Sequence, residues 1–172
     1  MVLQKVIGRS PFPWCPSLAV LLMLAFTALA EPLKWPVEIG GMLFGNMETA
    51  LSDEARTRGL MFRESLADDG GMIFLFRKAE VHSFWMRNTR IPLDILFLDE
   101  DGRITAIHTM PVEAPQATGE SDEQYCARLP GYSSLKPAIA AIELNAGMAA
   151  TLNLKPGDKV EIYRQELSKH LK

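Results

Sequence analysis

Apolar positions fall in short runs separated by Gly, Pro and acidic residues, a spacing that predicts strands more often than helices. Residues 35–39 and 42–48 read as two short strands broken at Gly40-Gly41, plausible as a hairpin. Ser52 is a good N-cap, with Asp53 and Glu54 where the helix dipole favours negative charge. That helix should run about two turns and stop at Gly59, a residue suited to a left-handed C-terminal cap. The continuous apolar run MIFLF, residues 72–76, is short enough to be a buried strand. Residues 93–98 and 103–108 pair naturally as a hairpin around Asp99 to Gly102.

Residues 109–135 are polar and punctuated by Pro111, Pro115, Gly119, Pro130 and Gly131, the pattern of a long functional or mobile loop. A strand at 138–144, a turn at 145–147 and a short helix at 148–153 follow. A tight turn at 155–158 then leads into a closing strand at 159–163. The expected fold is α+β: a mostly antiparallel, strand-rich domain, open or partly closed into a barrel, with two short helices.

The ends set the domain organisation. Lys5 and Arg9 precede an uncharged apolar run at 18–30, which ends in Ala28-Leu29-Ala30 just before Glu31-Pro32. That is the pattern of a secretory signal peptide, and the run is shorter than the roughly 20 residues of a spanning helix. An uncleaved membrane anchor is the alternative reading. Cys15 precedes the apolar run, which argues against a lipoprotein. The division is a signal peptide at 1–30, a lead-in at 31–36, one domain at 37–163 and a C-terminal tail at 164–172. Periplasmic or secreted localisation follows, with no stable membrane span after cleavage.

Charge and cysteine usage narrow the partners. The whole chain carries a formal net charge of −3; removing Lys5 and Arg9 with the leader makes it −5. No Lys/Arg run is present, so a nucleic-acid or anionic-membrane partner has no footprint along the chain. Only Cys126 would remain after cleavage, leaving the mature domain no intrachain disulfide. Packing alone is then expected to hold the core, and Cys126 to be dispensable.

The candidate chemistry is concentrated in SFWMRNTRIPLDILFLDEDGRI, residues 83–104. Asp94 interrupts a strand that is otherwise apolar on both faces, so it needs hydrogen bonds or a cation. Arg58, Arg63, Arg87 and Arg90 are the candidate cations; the amides of 87–91 are an alternative set of donors. Asp94 is either a structural acceptor that pins the turn or a ligand contact. Asn88 suits a left-handed turn position, and its amide could also meet a ligand. Trp85 is either core or an aromatic wall for a small molecule. Glu143, in AIAAIEL, is a second semi-buried acid that could flank Asp94 in a cleft. His82, His108 and Cys126 lack metal-ligand spacing, and neither a Gly-x-Ser-x-Gly nucleophile nor a phosphate loop occurs. No metal and no cofactor is expected. Met61, Met72 and Met86 read as adaptable core.

Four blocks in order, RGLMFRESL (58–66), GMIFLF (71–76), FWMRNTRIPLDILFLDEDGRI (84–104) and AIELNAGMAATLNLKPGDKV (141–160), closely resemble the domain of unknown function 192 family. The resemblance spans residues 37 to 163 and implies a compact, strand-rich α+β domain, often exported, with no established activity. It matches the family's Phe-Trp-Met-basic-Asn-Thr block at 84–89, Ile-Pro-Leu-Asp at 91–94, Arg-Gly-Leu-Met-x-Arg at 58–63 and Glu-Leu-x-x-Gly at 143–147. The segment QATGESDEQYCARLPGYS departs from that pattern.

Two functions remain open. One is a non-catalytic module binding a small molecule or an envelope protein around the 85–94 turn, through Trp85, Arg87, Asn88, Asp94, Arg58 and Arg63. The other is a periplasmic hydrolase using Asp94 or Glu143 as acid/base. Polar groups converging on an open pocket beside a strongly raised carboxylate would favour the enzyme. The oligomeric state is not legible in the sequence.

Overall fold

The computed structural model describes residues 33–171, so the expected signal peptide and its cleavage site lie outside the described residues. Within them are nine strands and four helices. β1 (Val37–Ile39) and β2 (Met42–Phe44) form the predicted hairpin, while β3 (Asn46–Ala50) turns away into a larger sheet. That sheet also contains β4 (Gly70–Glu80), β6 (Leu93–Leu98), β7 (Ile104–Met110) and β9 (Ala138–Asn145), in the order β3-β4-β9-β6-β7. Only the β3–β4 pair is parallel. The sheet is open, with β3 and β7 at its edges, so the partly closed barrel is not formed. A small ladder of β5 (Ser83–Phe84) and β8 (Tyr132–Ser133) lies beside it.

Capping chemistry places the first helix as expected. α1 (Asp53–Arg58) starts where Ser52 Oγ accepts from the Ala55 amide, and stops at Gly59 as expected, though its φ of +47° and ψ of −134° are not the left-handed helical cap expected there. α3 (Met148–Thr151) forms near the predicted place. The 109–135 segment is not simply a loop, because it contains α2 (Asp122–Arg128). Ser121 and Gln124 form a capping box there, a Ser-x-x-Gln signal readable in the sequence. Cys126 lies on α2, fully buried and disulfide-bonded, so it is not the partnerless loop thiol expected. Residues 159–163 form no strand beyond one bridge from Lys159 to Arg103. The segment expected as a tail instead makes α4 (Arg164–Ser168), whose Leu167 is fully buried.

Period-2 alternation gives the sheet two covered faces. Met47, Ile73, Leu75, Leu96, Ile142 and Leu144 face a layer containing the β1–β2 hairpin, Ala149 and Leu167. Met72, Phe74, Leu93, Ile95, Phe97 and Ala141 face a second layer, in which Leu60, Met86 and Ile91 form the roof. Close strand approach is tightest at Gly71, where a Cβ would collide with the Glu143 carbonyl oxygen and the Met47 sulfur.

Candidate functional site

The turn at 85–92 is fastened on two sides. On one side Arg87, almost fully buried, pairs with Asp122 of α2 at 3.1 Å. The Asn88 amide donates to Tyr125 Oη, also on α2, at 3.2 Å. On the other side the Phe62 amide donates to the Asn88 carbonyl at 2.8 Å. Asn88 and Phe62 both have left-handed backbone, with φ of 53° and 64°. Asn88 suits that region; a bulky aromatic does not. Phe62 is nonetheless 53% exposed, with the Arg90 guanidinium 5.9 Å from its ring centroid. Arg90 also reaches Glu64 at 3.1 Å.

The expected site residues divide into three groups. Trp85, Asn88 and Arg87 share the turn: Trp85 is half-buried and belongs to neither apolar cluster, whereas Arg87 is spent on α2. Arg58 is exposed at the end of α1. Arg63 pairs with Glu48 at 2.6 Å and lines a small pocket of about 250 Å³ with Lys34, Asn46 and Ser65. Asp94 stands apart. It is 1% exposed, and its carboxylate accepts from Thr109 Oγ1 at 2.7 Å and the Ala149 amide at 2.8 Å. The expected arginine or 87–91 amide partner is therefore corrected. Asp94 points to the layer opposite Met86 and Ile91, and fastens β6 to β7 and to the start of α3.

Strand register separates the two acids. Asp94 lies opposite Leu144, and Glu143 opposite Ile95, so their side chains leave opposite faces of the sheet. They cannot share a cleft. Glu143 stands in a cross-strand row running Glu48, Met72, Glu143, Ile95, His108. It is 5% exposed and makes no hydrogen bond or ion pair among the described residues. Burial alone pushes its carboxyl up to about 8, so it is mostly neutral at pH 7. Among the described residues no group of three His, Cys, Asp or Glu is arranged to hold a metal ion. His108 Nε2 sits 2.7 Å from the Ser133 carbonyl, and His82 stacks on Phe76.

Sequence reasoning missed Phe62, Tyr125 and the Glu48–Arg63 pair. The capping box could have revealed the helix that carries Tyr125. A left-handed Phe62 has no local sequence signal, because tertiary contacts impose it.

Comparison with known proteins places the chain without assigning a reaction. A structure of a protein of unknown function from Novosphingobium aromaticivorans is 36% identical, with a TM-score of 0.60, over 76% of this chain and 84% of that one. A candidate transcription regulator from Sinorhizobium meliloti is 33% identical, with a TM-score of 0.59, over 76% of this chain and 94% of that one. No curated protein matches. The DUF192 family, described as an uncharacterized ACR, matches residues 37–162. The chain belongs to the domain of unknown function 192 family.

Proposed function

We propose that the chain is an exported, non-catalytic binding module of the cell envelope. Its contact surface is the 85–90 turn together with the 58–64 segment, and it takes a small molecule or an envelope protein. One observation carries this reading: two non-glycine residues, Phe62 and Asn88, are held left-handed at the surface and joined by a hydrogen bond. At Phe62 such a conformation costs about 1–3 kcal/mol and persists where the surroundings over-determine it, often at ligand clamps. The result is an exposed ring beside Arg90, with the Asn88 carboxamide making no hydrogen bond among the described residues. Asp94 drops out of the contact set, since both its oxygens are engaged on the far face.

The hydrolase reading survives in narrower form. A buried, neutral Glu143 is a candidate proton donor, but it would act without Asp94. The name of the Sinorhizobium neighbour raises nucleic acid as a partner. A net charge of −3 without a basic run speaks against that for this chain.

A thermal-shift screen of metabolites, on wild type and on Phe62→Ser/Arg90→Ala, tests the proposal. The expected result is a compound that stabilises wild type by several degrees and the variant by less than a third as much. Compounds that stabilise both proteins equally, and lose their effect in Glu143→Gln, would move the site to the buried acid.

A further inference from the structure

The β4–β9 ladder breaks after Leu75, and its register resumes only where Glu80 meets Ala138. Arg77 lies in that break and is exposed. α4 packs against β4. Tyr163, at a left-handed φ of 48°, turns the chain into that helix, and Leu167 then seats in the core. Between the two elements is a cavity of about 110 Å³. Leu75, Ile139 and Leu171 give it apolar walls, and Arg77, Arg164 and Gln165 line it as well. It lies in the layer of Leu75, Ile139 and Leu167, across the sheet from the Met86 and Ile91 roof at the 85–92 turn.

The polar side chains of this cavity offer donors that lack acceptors. Arg164 Nη1 is shut off from solvent and makes no hydrogen bond. Its ion pair with Glu100 is 3.7 Å long, beyond hydrogen-bond reach, and that glutamate is largely exposed. Arg77 makes no hydrogen bond or ion pair among the described residues, and neither does the Gln165 carboxamide. Ser168, also on the wall, donates its hydroxyl proton to the Gln165 carbonyl at 2.8 Å. Two guanidiniums lining one cavity repel each other, and a buried charged donor without an acceptor bears its full desolvation penalty. An anion seated between them removes both costs at once.

We propose that this cavity is a binding site for a phosphate group, held by Arg77 and Arg164 with the Gln165 carboxamide as a further donor. Guanidiniums meet phosphate oxygens in forked, charge-assisted hydrogen bonds. A phosphate ester at pH 7 carries about −1.5 to −2 charges, which matches two guanidiniums. A carboxylate balances only one, and Glu100 already stands beside Arg164 in that role. The cavity is well below the roughly 300 Å³ of a drug-sized ligand pocket, so it takes one oxyanion and no larger body. The phosphate is therefore either the free ion or the exposed end of a larger molecule. Its two cations are 87 residues apart in the sequence, which is why no basic run announces them.

Calorimetric titration of the full chain with inorganic phosphate, at an ionic strength held constant with chloride, tests this. Wild type should bind phosphate saturably, and Arg77→Gln/Arg164→Gln at least about tenfold more weakly. Arg77→Gln alone should also weaken binding while keeping the wild-type melting temperature, because Arg77 is exposed and unpaired. Lys155→Gln, which removes a cation that does not line the cavity, should bind as wild type does. Glycerol phosphate separates the two sources. Affinity equal to or above that of inorganic phosphate supports an esterified group, and much weaker affinity supports the free ion. Equal phosphate affinity in wild type and the double variant, equal weakening in Lys155→Gln, or no saturable binding to wild type would overturn the proposal.

Discussion

Glu143→Gln should stabilise the protein at pH 8 and leave its stability almost unchanged at pH 4.5. Burial raises the folded-state pKa from 4.5 to about 8, with no partner to offset it. The sign follows from linkage: a raised folded pKa gives a contribution fully present below about 4.5, and lost as pH climbs to about 8. At about 1.4 kcal/mol per pKa unit, wild type should lose on the order of 5 kcal/mol relative to the glutamine variant across that window. The groups nearest on the same face, Glu48, His108 and Arg63, are common to both proteins and cancel in the difference. Urea unfolding of both proteins at several pH values measures it. A difference that stays flat with pH would mean that Glu143 has a compensating partner in the folded state.

Asp94→Ala should be the most damaging substitution on the opposite face. It leaves the buried Ala149 amide and the Thr109 hydroxyl without their acceptor. An unsatisfied buried donor costs about 1–3 kcal/mol; the Ala149 amide is that donor, while Thr109 is exposed and its hydroxyl can turn to water, so the loss should be about 1–3. Asp99→Ala is the internal comparison. Asp99 Oδ1 accepts from the Asp101 and Arg103 amides at 3.0 and 2.9 Å, so it orders the hairpin turn, but in a solvated place. Its loss should cost about 1 kcal/mol, as for a typical local side-chain cap. Equal losses at the two positions would contradict the assignment of Asp94 as the acceptor that joins β6, β7 and α3. Unchanged stability in Asp94→Ala would return that carboxylate to the list of functional groups.

Strand alternation made most of the sheet legible. The apolar runs at 72–76, 93–98 and 138–144 became β4, β6 and β9, and Ser52 with Gly59 bounded α1 as capping requires. Three features were not legible, each for a physical reason. α2 sits in a polar, Pro-punctuated segment, where low hydrophobicity masked its capping box. The closing strand failed because the residues after Lys159 make a single bridge and then lead into α4, whose Leu167 is buried in the core. Partners of Asp94 were misjudged because a buried acid on an apolar strand called for a cation, Arg58, Arg63, Arg87 or Arg90, or for the 87–91 amides, while register delivered Thr109 from β7 and Ala149 from the start of α3. Within the candidate site, Asn88 declared its turn geometry. Its left-handed partner Phe62 did not, since only the fold brings 62 and 88 into contact.

The central claim is that the turn surface binds without catalysing. Its most direct measurement takes a compound that raises the melting temperature and incubates it in excess with the protein. Ligand-observed NMR then follows it over many hours, on wild type, Phe62→Ser/Arg90→Ala and Glu143→Gln. The expected result is saturable binding weakened by the turn variant, retained in Glu143→Gln, and recovery of the compound unchanged. Steady conversion to a product by wild type, abolished in Glu143→Gln, would contradict the account and make the buried acid the centre of an enzyme.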